Sequence, residues 1–227
     1  MNIWTIAKKN IRNRNWKAMS DNQIGTYKLV ASPFHLDVRG KLSMGVLGKH
    51  LLNCADAYAA ERGFDVVEQG GEHYTWVLSR LAIELEDLPS CHESFSIQTW
   101  VENVYRLFAD RNFVICDKDE KPIGYVRSVW AMISMETRNP ANLLALYGDR
   151  ITNSICEKEC PIAKPGRIKV SQQEAVSEYV AKYSDLDING HVNSIKYIEH
   201  ILDIFPLDTY KKKALKRFEI AYVAESY

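Results

Sequence analysis

Two hydrophobic periods divide the chain. Apolar residues recur at about every second position over 26–32, 74–85, 93–104, 107–116 and 123–135, the spacing of half-buried strands. Between the first two of these, over 44–61, Leu47, Leu51, Cys54 and Tyr58 recur at helical spacing, and Gly63 follows where a helix would end. The polar run at 117–122, Asp-Lys-Asp-Glu-Lys-Pro, predicts a hairpin turn between the last two strands. One long helix followed by an antiparallel meander buries itself best if the sheet curls around the helix, an α+β layer arrangement. A second helical face comes much later, in Val192, Ile195, Ile198, Ile201, Leu202 and Phe205, and an alternating segment follows at 217–227.

The two helical regions are related. An offset of 150 positions lays Asp37 on Asp187, Leu36 on Leu186, Gly40 on Gly190, His50 on His200 and Leu52 on Leu202 without a gap. Val38 with Ile188, Leu42 with Val192 and Leu51 with Ile201 keep the apolar period between those identities, the signature of a repeated structural unit. Each unit, a helix wrapped by an antiparallel sheet, is a hotdog, so the expected fold is a tandem, double hotdog. The first unit is assigned to 23–140, a linker marked by Pro161, Pro165 and Gly166 to 141–167, and the second unit to 168–227. The second is expected to be incomplete at its C-terminal end, because the three further strands found in the first have no counterpart before Tyr227. The stretch 1–22 carries Lys8, Lys9, Arg12, Arg14 and Lys17 with no acidic residue before Asp21, and is placed outside the fold. A transit segment, a basic tail and a start upstream of Met19 all account for it.

Composition narrows the function. With 227 residues and 46% hydrophobic content the chain can bury a substantial core. Twenty-nine basic residues balance 29 acidic ones, so no global charge argues for nucleic acid or an anionic membrane. Five scattered cysteines fit reduced thiols in a cytoplasm-like compartment, and Cys156-x-x-x-Cys160 has no matching second pair to make a zinc site. No stretch approaches the roughly 20 apolar residues of a membrane span. The expectation is a soluble cytoplasmic protein, or a plastid stromal one if the source is a plant.

The richest chemistry lies in the run from Asp185 to Asn193, Asp-Leu-Asp-Ile-Asn-Gly-His-Val-Asn, at the mouth of the second predicted helix. In an extended segment Asp187, Asn189 and His191 would project to one side, toward the unpaired N–H groups and positive dipole end of the helix. Such a place suits charge developing on a substrate carbonyl oxygen. Helix capping alone also accounts for Asn, Asp and Gly here. The repeat separates the two readings: the first copy keeps the aspartate and glycine but has Arg39 and Lys41 in place of Asn189 and His191.

The motif, continued as Ser-Ile-Lys-Tyr-Ile198, closely resembles that of the acyl-acyl carrier protein thioesterases, the plant plastid enzymes and their bacterial relatives. Trp76-Val-Leu-Ser-Arg80, Thr99-Trp100, Ser128-Val-Trp130 and Thr137-Arg138 support the resemblance, which covers roughly 24–227. A shorter form, Asp-x-x-Gly-His-Val-Asn followed by Tyr, also occurs in single-hotdog thioesterases acting on coenzyme A esters.

The resemblance implies hydrolysis of fatty acyl carrier protein thioesters, ending fatty acid synthesis, with no cofactor and no metal. Asp187, Asn189 and His191 match the catalytic positions, and Glu225 matches a family glutamate on the following strand. The family often has cysteine directly after that glutamate; Ser226 stands here, which argues against an acyl-enzyme on cysteine and for water as the nucleophile. Glu225 would serve as general base, Asn189 and His191 would hold the thioester carbonyl or the water, and Asp187 would fix their geometry. The family's acyl tunnel lies mainly in the first hotdog, making Val46, His50, Leu51, Cys54 and Trp76 candidate walls. Arg80 is either a buried structural cation or a group near the substrate. Carrier proteins are acidic, so the basic run Lys211, Lys212, Lys213, Lys216 and Arg217 is a candidate docking surface, with Lys164, Arg167 and Lys169 as a second. Hydrolysis of acyl-coenzyme A and non-catalytic acyl binding remain as alternatives, and a homodimer is allowed but not required.

Overall fold

In the computed structural model, which describes residues 23–167, 177–187 and 190–223, a strand β1 (Gly25–Val30) leads into the central helix α1 (Met44–Arg62). The Ser43 hydroxyl accepts the Val46 N–H at the start of α1, and Gly63, at φ 70°, turns the chain out of it. Glycine is favoured there because a side chain strains that backbone conformation. Behind the helix follow β2 (Val67–Gln69), β3 (Glu72–Leu85), β4 (Ser94–Val104), β5 (Phe108–Cys116) and β6 (Pro122–Ser134). They form one antiparallel sheet in the order β1-β4-β5-β6-β3-β2, with the core of Leu42, Leu47, Leu51, Ile97, Ile115 and Val126 fully buried. The β5–β6 turn closes as expected, because the Asp117 carboxylate accepts the N–H groups of Asp119 and Lys121, both at 2.9 Å.

Segment 141–167 is more than a connection. It contains α2 (Leu143–Tyr147) and α3 (Asp149–Thr152), whose Leu143, Tyr147 and Ile151 are buried. Beyond them the chain lies along the sheet, where Cys160 and Ile162 pack with Trp100 and Val114, and the Trp100 indole N–H donates to Lys158 O at 2.9 Å. The prolines and glycine that mark the linker thus lie in an irregular segment held by apolar burial.

The second unit contributes α4 (Ser194–Asp203), a short α5 (Leu207–Lys212) and β7 (Arg217–Ala221). β7 joins the first unit's sheet by pairing antiparallel with β3, Ile83 opposite Phe218 and Leu81 opposite Ile220. β2 and β7 share one edge of β3, at 72–74 and 80–84 respectively, and among the described residues neither covers 75–78. The extension 1–22 and the start of the second unit, 168–176, lie outside the described residues.

α4 packs directly on α1. Gly45 and Gly48 make room for it: a Cβ on Gly48 would lie 2.6 Å from Ile195 Cδ1, and one on Gly45 would collide with the Glu199 side chain. Ile195 and Ile198 are consequently buried. Gly48→Val is expected to cost about 1–3 kcal/mol by overpacking this contact; a denaturant titration should show a lower midpoint with an unaltered slope.

Candidate active site

The motif is a closed loop, and its side chains converge for a different reason than alternation along a strand. Asp187 N–H donates to His191 O at 2.8 Å, Gly190 N–H donates to Asp187 O at 3.1 Å, and Leu186 bridges Val192. Gly190 has φ 79°, which permits the reversal. The Asp187 carboxylate accepts the His191 N–H at 3.2 Å, and Asn193 caps α4 by accepting the Ile195 N–H at 2.9 Å. Asp187 is therefore part of the loop's framework, and His191 is the group it presents.

The first copy repeats this framework bond for bond. Asp37 N–H donates to Lys41 O, Gly40 N–H to Asp37 O, and Lys41 N–H to the Asp37 carboxylate, at 2.7, 3.0 and 3.3 Å. Its polar positions are spent on ion pairs: Arg39 grips the Asp37 carboxylate at 2.8 Å and Lys41 reaches Asp87 at 2.9 Å. In the second copy Asp187 and His191 line a cavity instead. Asn189 and Glu225 lie outside the described residues.

The cavity measures ≈ 380 Å³ and lies between the two units. Leu52, Ala55 and Ala59 of α1, with Trp76, Leu78 and Trp130 of the sheet, form an apolar lining, while the motif loop, Tyr197 and Tyr222 close the other side. Of the candidate walls only Trp76 is in place. Val46, His50, Leu51, Cys54 and Arg80 are not on the cavity. The physical reason is the helix's rotation: the buried positions 47, 51, 54 and 58 are already filled by the core, so the lumen borders the neighbouring positions 52, 55, 56 and 59. His50 faces the rings of His35 and Phe95, with centroids at 5.7 and 5.9 Å. Burial pushes the Cys54 thiol up to about 12, which removes it as a nucleophile. Arg80 sits at the bulge of β3, its backbone in register with Val129 and Ala221.

Tyr197, Tyr222 and Arg111 also line the cavity, although the sequence reading gave none of them a place there. Tyr197 follows Asn193 by one helical turn, and Tyr222 follows β7 and donates its hydroxyl to Ser194 O at 2.9 Å, tying that strand to the start of α4. Arg111 is 6% exposed, lies over the Tyr58 ring at 4.4 Å and donates to Thr99 Oγ1 at 3.3 Å; burial lowers it to about 10, still above neutral pH. Its position on the inward period of Phe113 and Ile115 was the available signal.

The basic run is largely engaged. Lys211 pairs with Asp208 at 3.2 Å, Lys216 donates to Glu86 O at 3.1 Å, and Arg217 contacts Glu84 and Glu219. Lys212 and Lys213 are exposed. In the second run Lys164 is held by Asp110 and Glu102 at 2.9 and 3.3 Å. Among the described residues no group of three or more His, Cys, Asp or Glu side chains is placed to hold a metal ion, and no helix is long and apolar enough to cross a membrane.

A helix cradled by an antiparallel sheet, fused edge to edge with the helix and strand of a second copy whose loop opens on the junction, defines a hotdog-type protein. The chain belongs to the acyl-ACP thioesterase family: the family's N-terminal domain matches residues 26–148 and its C-terminal domain 168–227. A solved acyl-ACP thioesterase from Bacteroides thetaiotaomicron is similar at 61% identity and a TM-score of 0.84, over 92% of this chain and 85% of that one. The chloroplastic palmitoyl-acyl carrier protein thioesterase of Gossypium hirsutum is 24% identical over 76% of this chain and 44% of its own length. The chloroplastic dodecanoyl-[acyl-carrier-protein] hydrolase of Cinnamomum camphora is 23% identical over 98% and 65%. The chain thus spans less than two thirds of these two relatives.

Burial, with His35 alongside, holds His50 below its ordinary value of 6.5. As pH falls the unfolded chain takes up that proton first, so the stability due to neutral His50 is complete above about 6.5 and is lost as pH drops through the folded-state value. His50→Phe keeps a ring against Phe95 and should lose less stability than the parent between about pH 7.5 and 5, compared by denaturant unfolding at each pH.

Proposed function

We propose that the protein is a thioesterase that hydrolyses fatty acyl thioesters of acyl carrier protein to free fatty acid and carrier thiol, and so ends fatty acid synthesis. The observation that carries this reading is the meeting, across the junction of the two units, of a polar loop bearing Asp187 and His191 with a cavity that has an apolar wall of Leu52, Ala55, Ala59 and Leu78. An acyl chain is stabilised by leaving water for Leu52, Ala55, Ala59 and Leu78, and the thioester is then held at the loop.

Hydrolysis adds water to the thioester carbonyl carbon, breaks the carbon–sulfur bond, and returns a proton to the departing thiolate. His191, with Asn189, is assigned to the carbonyl oxygen or the water, Asp187 to the loop geometry, and Glu225 to general-base removal of the water's proton. Thiolate leaves readily, so orienting the water and stabilising the oxyanion dominate the barrier. Ser226 in place of a cysteine and the high thiol value at Cys54 support water as the nucleophile.

The carrier is assigned to the face bearing Lys212 and Lys213, where exposed cations meet an acidic partner. A cytoplasmic location suits a partner of this kind and the reduced cysteines.

Thiol release from purified protein with acyl carrier and coenzyme A esters tests the activity. His191→Ala is expected to lower kcat by about 10²- to 10⁴-fold on the acyl carrier ester; unchanged turnover would remove His191 from the site. Replacing Lys212 and Lys213 together by Glu should raise KM for the carrier ester, weaken its dependence on salt and leave the coenzyme A ester unaffected. An equal effect on both esters would place docking elsewhere.

A further inference from the structure

The motif loop is anchored from beneath by a group that the proposed chemistry does not use. Asp185 begins the loop and is 2% exposed. Its carboxylate accepts the Tyr179 hydroxyl at 2.7 Å and the Lys182 N–H at 2.8 Å, and its backbone carbonyl accepts the Asn193 N–H at 2.8 Å, so both ends of the loop are closed on one residue. The His200 imidazole of α4 completes the cluster, with Nε2 3.4 Å from Asp185 Oδ1 and the Tyr179 ring packed against it at 3.7 Å between centroids, tilted by 31°. At 3.4 Å this is a close imidazole–carboxylate contact and no well-aligned hydrogen bond. The Tyr179 hydroxyl and the Lys182 N–H hold the Asp185 carboxyl below its ordinary range, with His200 and Lys196 adding to them.

The repeat shows that the fold alone does not require this pair. At the offset of 150, Asp185 corresponds to His35 and His200 to His50. The first copy closes the same turn, since Ser43 N–H donates to His35 O at 2.9 Å and His35 N–H to Ser32 O at 2.9 Å. It does so with two imidazoles packed edge-on and no acid between them. A buried carboxylate is costly unless it is hydrogen-bonded or paired, and Asp185 is held by the Tyr179 hydroxyl and the Lys182 N–H with the His200 ring beside it. The acid–imidazole pair occurs in the copy whose loop faces the cavity, and the pair of imidazoles in the copy whose loop is sealed by ion pairs.

We propose that Asp185 and His200 are positioning residues that lock the loop to α4 and hold His191 in register with the cavity. This rests on the thioesterase reading for its consequence, and on the loop geometry alone for its existence. Neither side chain touches the cavity; they act through the Asp185 carbonyl and the Asn193 N–H.

The test uses the full chain with His200→Phe, which keeps the ring against Tyr179 and removes the nitrogen, with Asp185→Asn, and with the two combined. Hydrogen exchange reads the lock without reference to activity: the amides of His191 and Asn193 should exchange about tenfold faster or more in each variant, while those of Lys41 and Ser43 are unchanged. On acyl carrier ester kcat should fall by about tenfold with KM within about twofold, because misplacement of a catalytic group affects the chemical step. The double variant should be no slower than the slower single one, since both break the same contact. Unchanged exchange at His191 and Asn193 in His200→Phe, or losses that multiply in the double variant, overturns the proposal. If the parent hydrolyses no thioester while exchange still accelerates, the thioesterase reading fails and the lock stands. His200→Phe keeps the test decisive should Asp185→Asn not fold.

Discussion

The antiparallel ladder between β3 and β7 fixes everything of functional interest in this molecule. β3 is the only strand described that serves both units: β6 of its own meander pairs along one edge and β7 of the second copy along the other. The ladder's register is enforced by burial. With Ile83 opposite Phe218 and Leu81 opposite Ile220, both second-unit side chains enter the core, and Arg217 and Glu219 face outward where they contact each other and Glu84. A slip of one residue would bury the charges and expose the apolar pair, so competing registers are strongly disfavoured. Because Tyr222, one residue past β7, is bonded to Ser194 O, the same register also sets where α4 begins and where the motif loop stands.

The helix contact acts in concert with that ladder. Gly45 and Gly48 let α4 approach α1 closely enough to bury Ile195 and Ile198, and the approach leaves the adjacent face of α1, at Leu52, Ala55 and Ala59, bordering a lumen rather than a neighbour. Small residues at 55 and 59 keep that lumen open, where larger side chains would fill it. The cavity therefore belongs to neither unit; it is what remains when a sheet junction and a helix crossing are satisfied together.

Much of this was legible in the residues, and the failures have definite physical causes. Strand and helix periods, the Gly63 stop, the Asp117 turn and the 150-residue offset all reflect local rules that tertiary contacts did not override. Alternation misread the motif, because Gly190 lets the chain reverse and brings Asp187 to His191 by a bond across the loop. The candidate walls Val46, Leu51 and Cys54 lie around α1 from the cavity-lining Leu52, Ala55 and Ala59, since an apolar stripe marks what is packed and a cavity forms where packing stops. Residues 141–167 show what such signals leave open: prolines predict irregular backbone, and say nothing about whether Leu143, Ile151 or Ile162 is buried.

Duplication clarifies which features are scaffold. Both copies build the same turn, the same closing bonds from an aspartate, the same positive-φ glycine and the same capped helix, so none of these is by itself evidence of chemistry. The copies part where charge is concerned. In the first, Arg39 and Lys41 are each matched by a carboxylate, and an ion pair at the surface contributes little beyond holding its own side chains still. In the second, an imidazole stands at 191 where the first has a lysine paired with Asp87, the framework aspartate is kept, and a further carboxylate lies buried beneath the loop at position 185. A side chain that faces a cavity is of catalytic use only if its backbone is held in place. The buried carboxylate beneath the loop supplies that hold, and the two changes make sense as one.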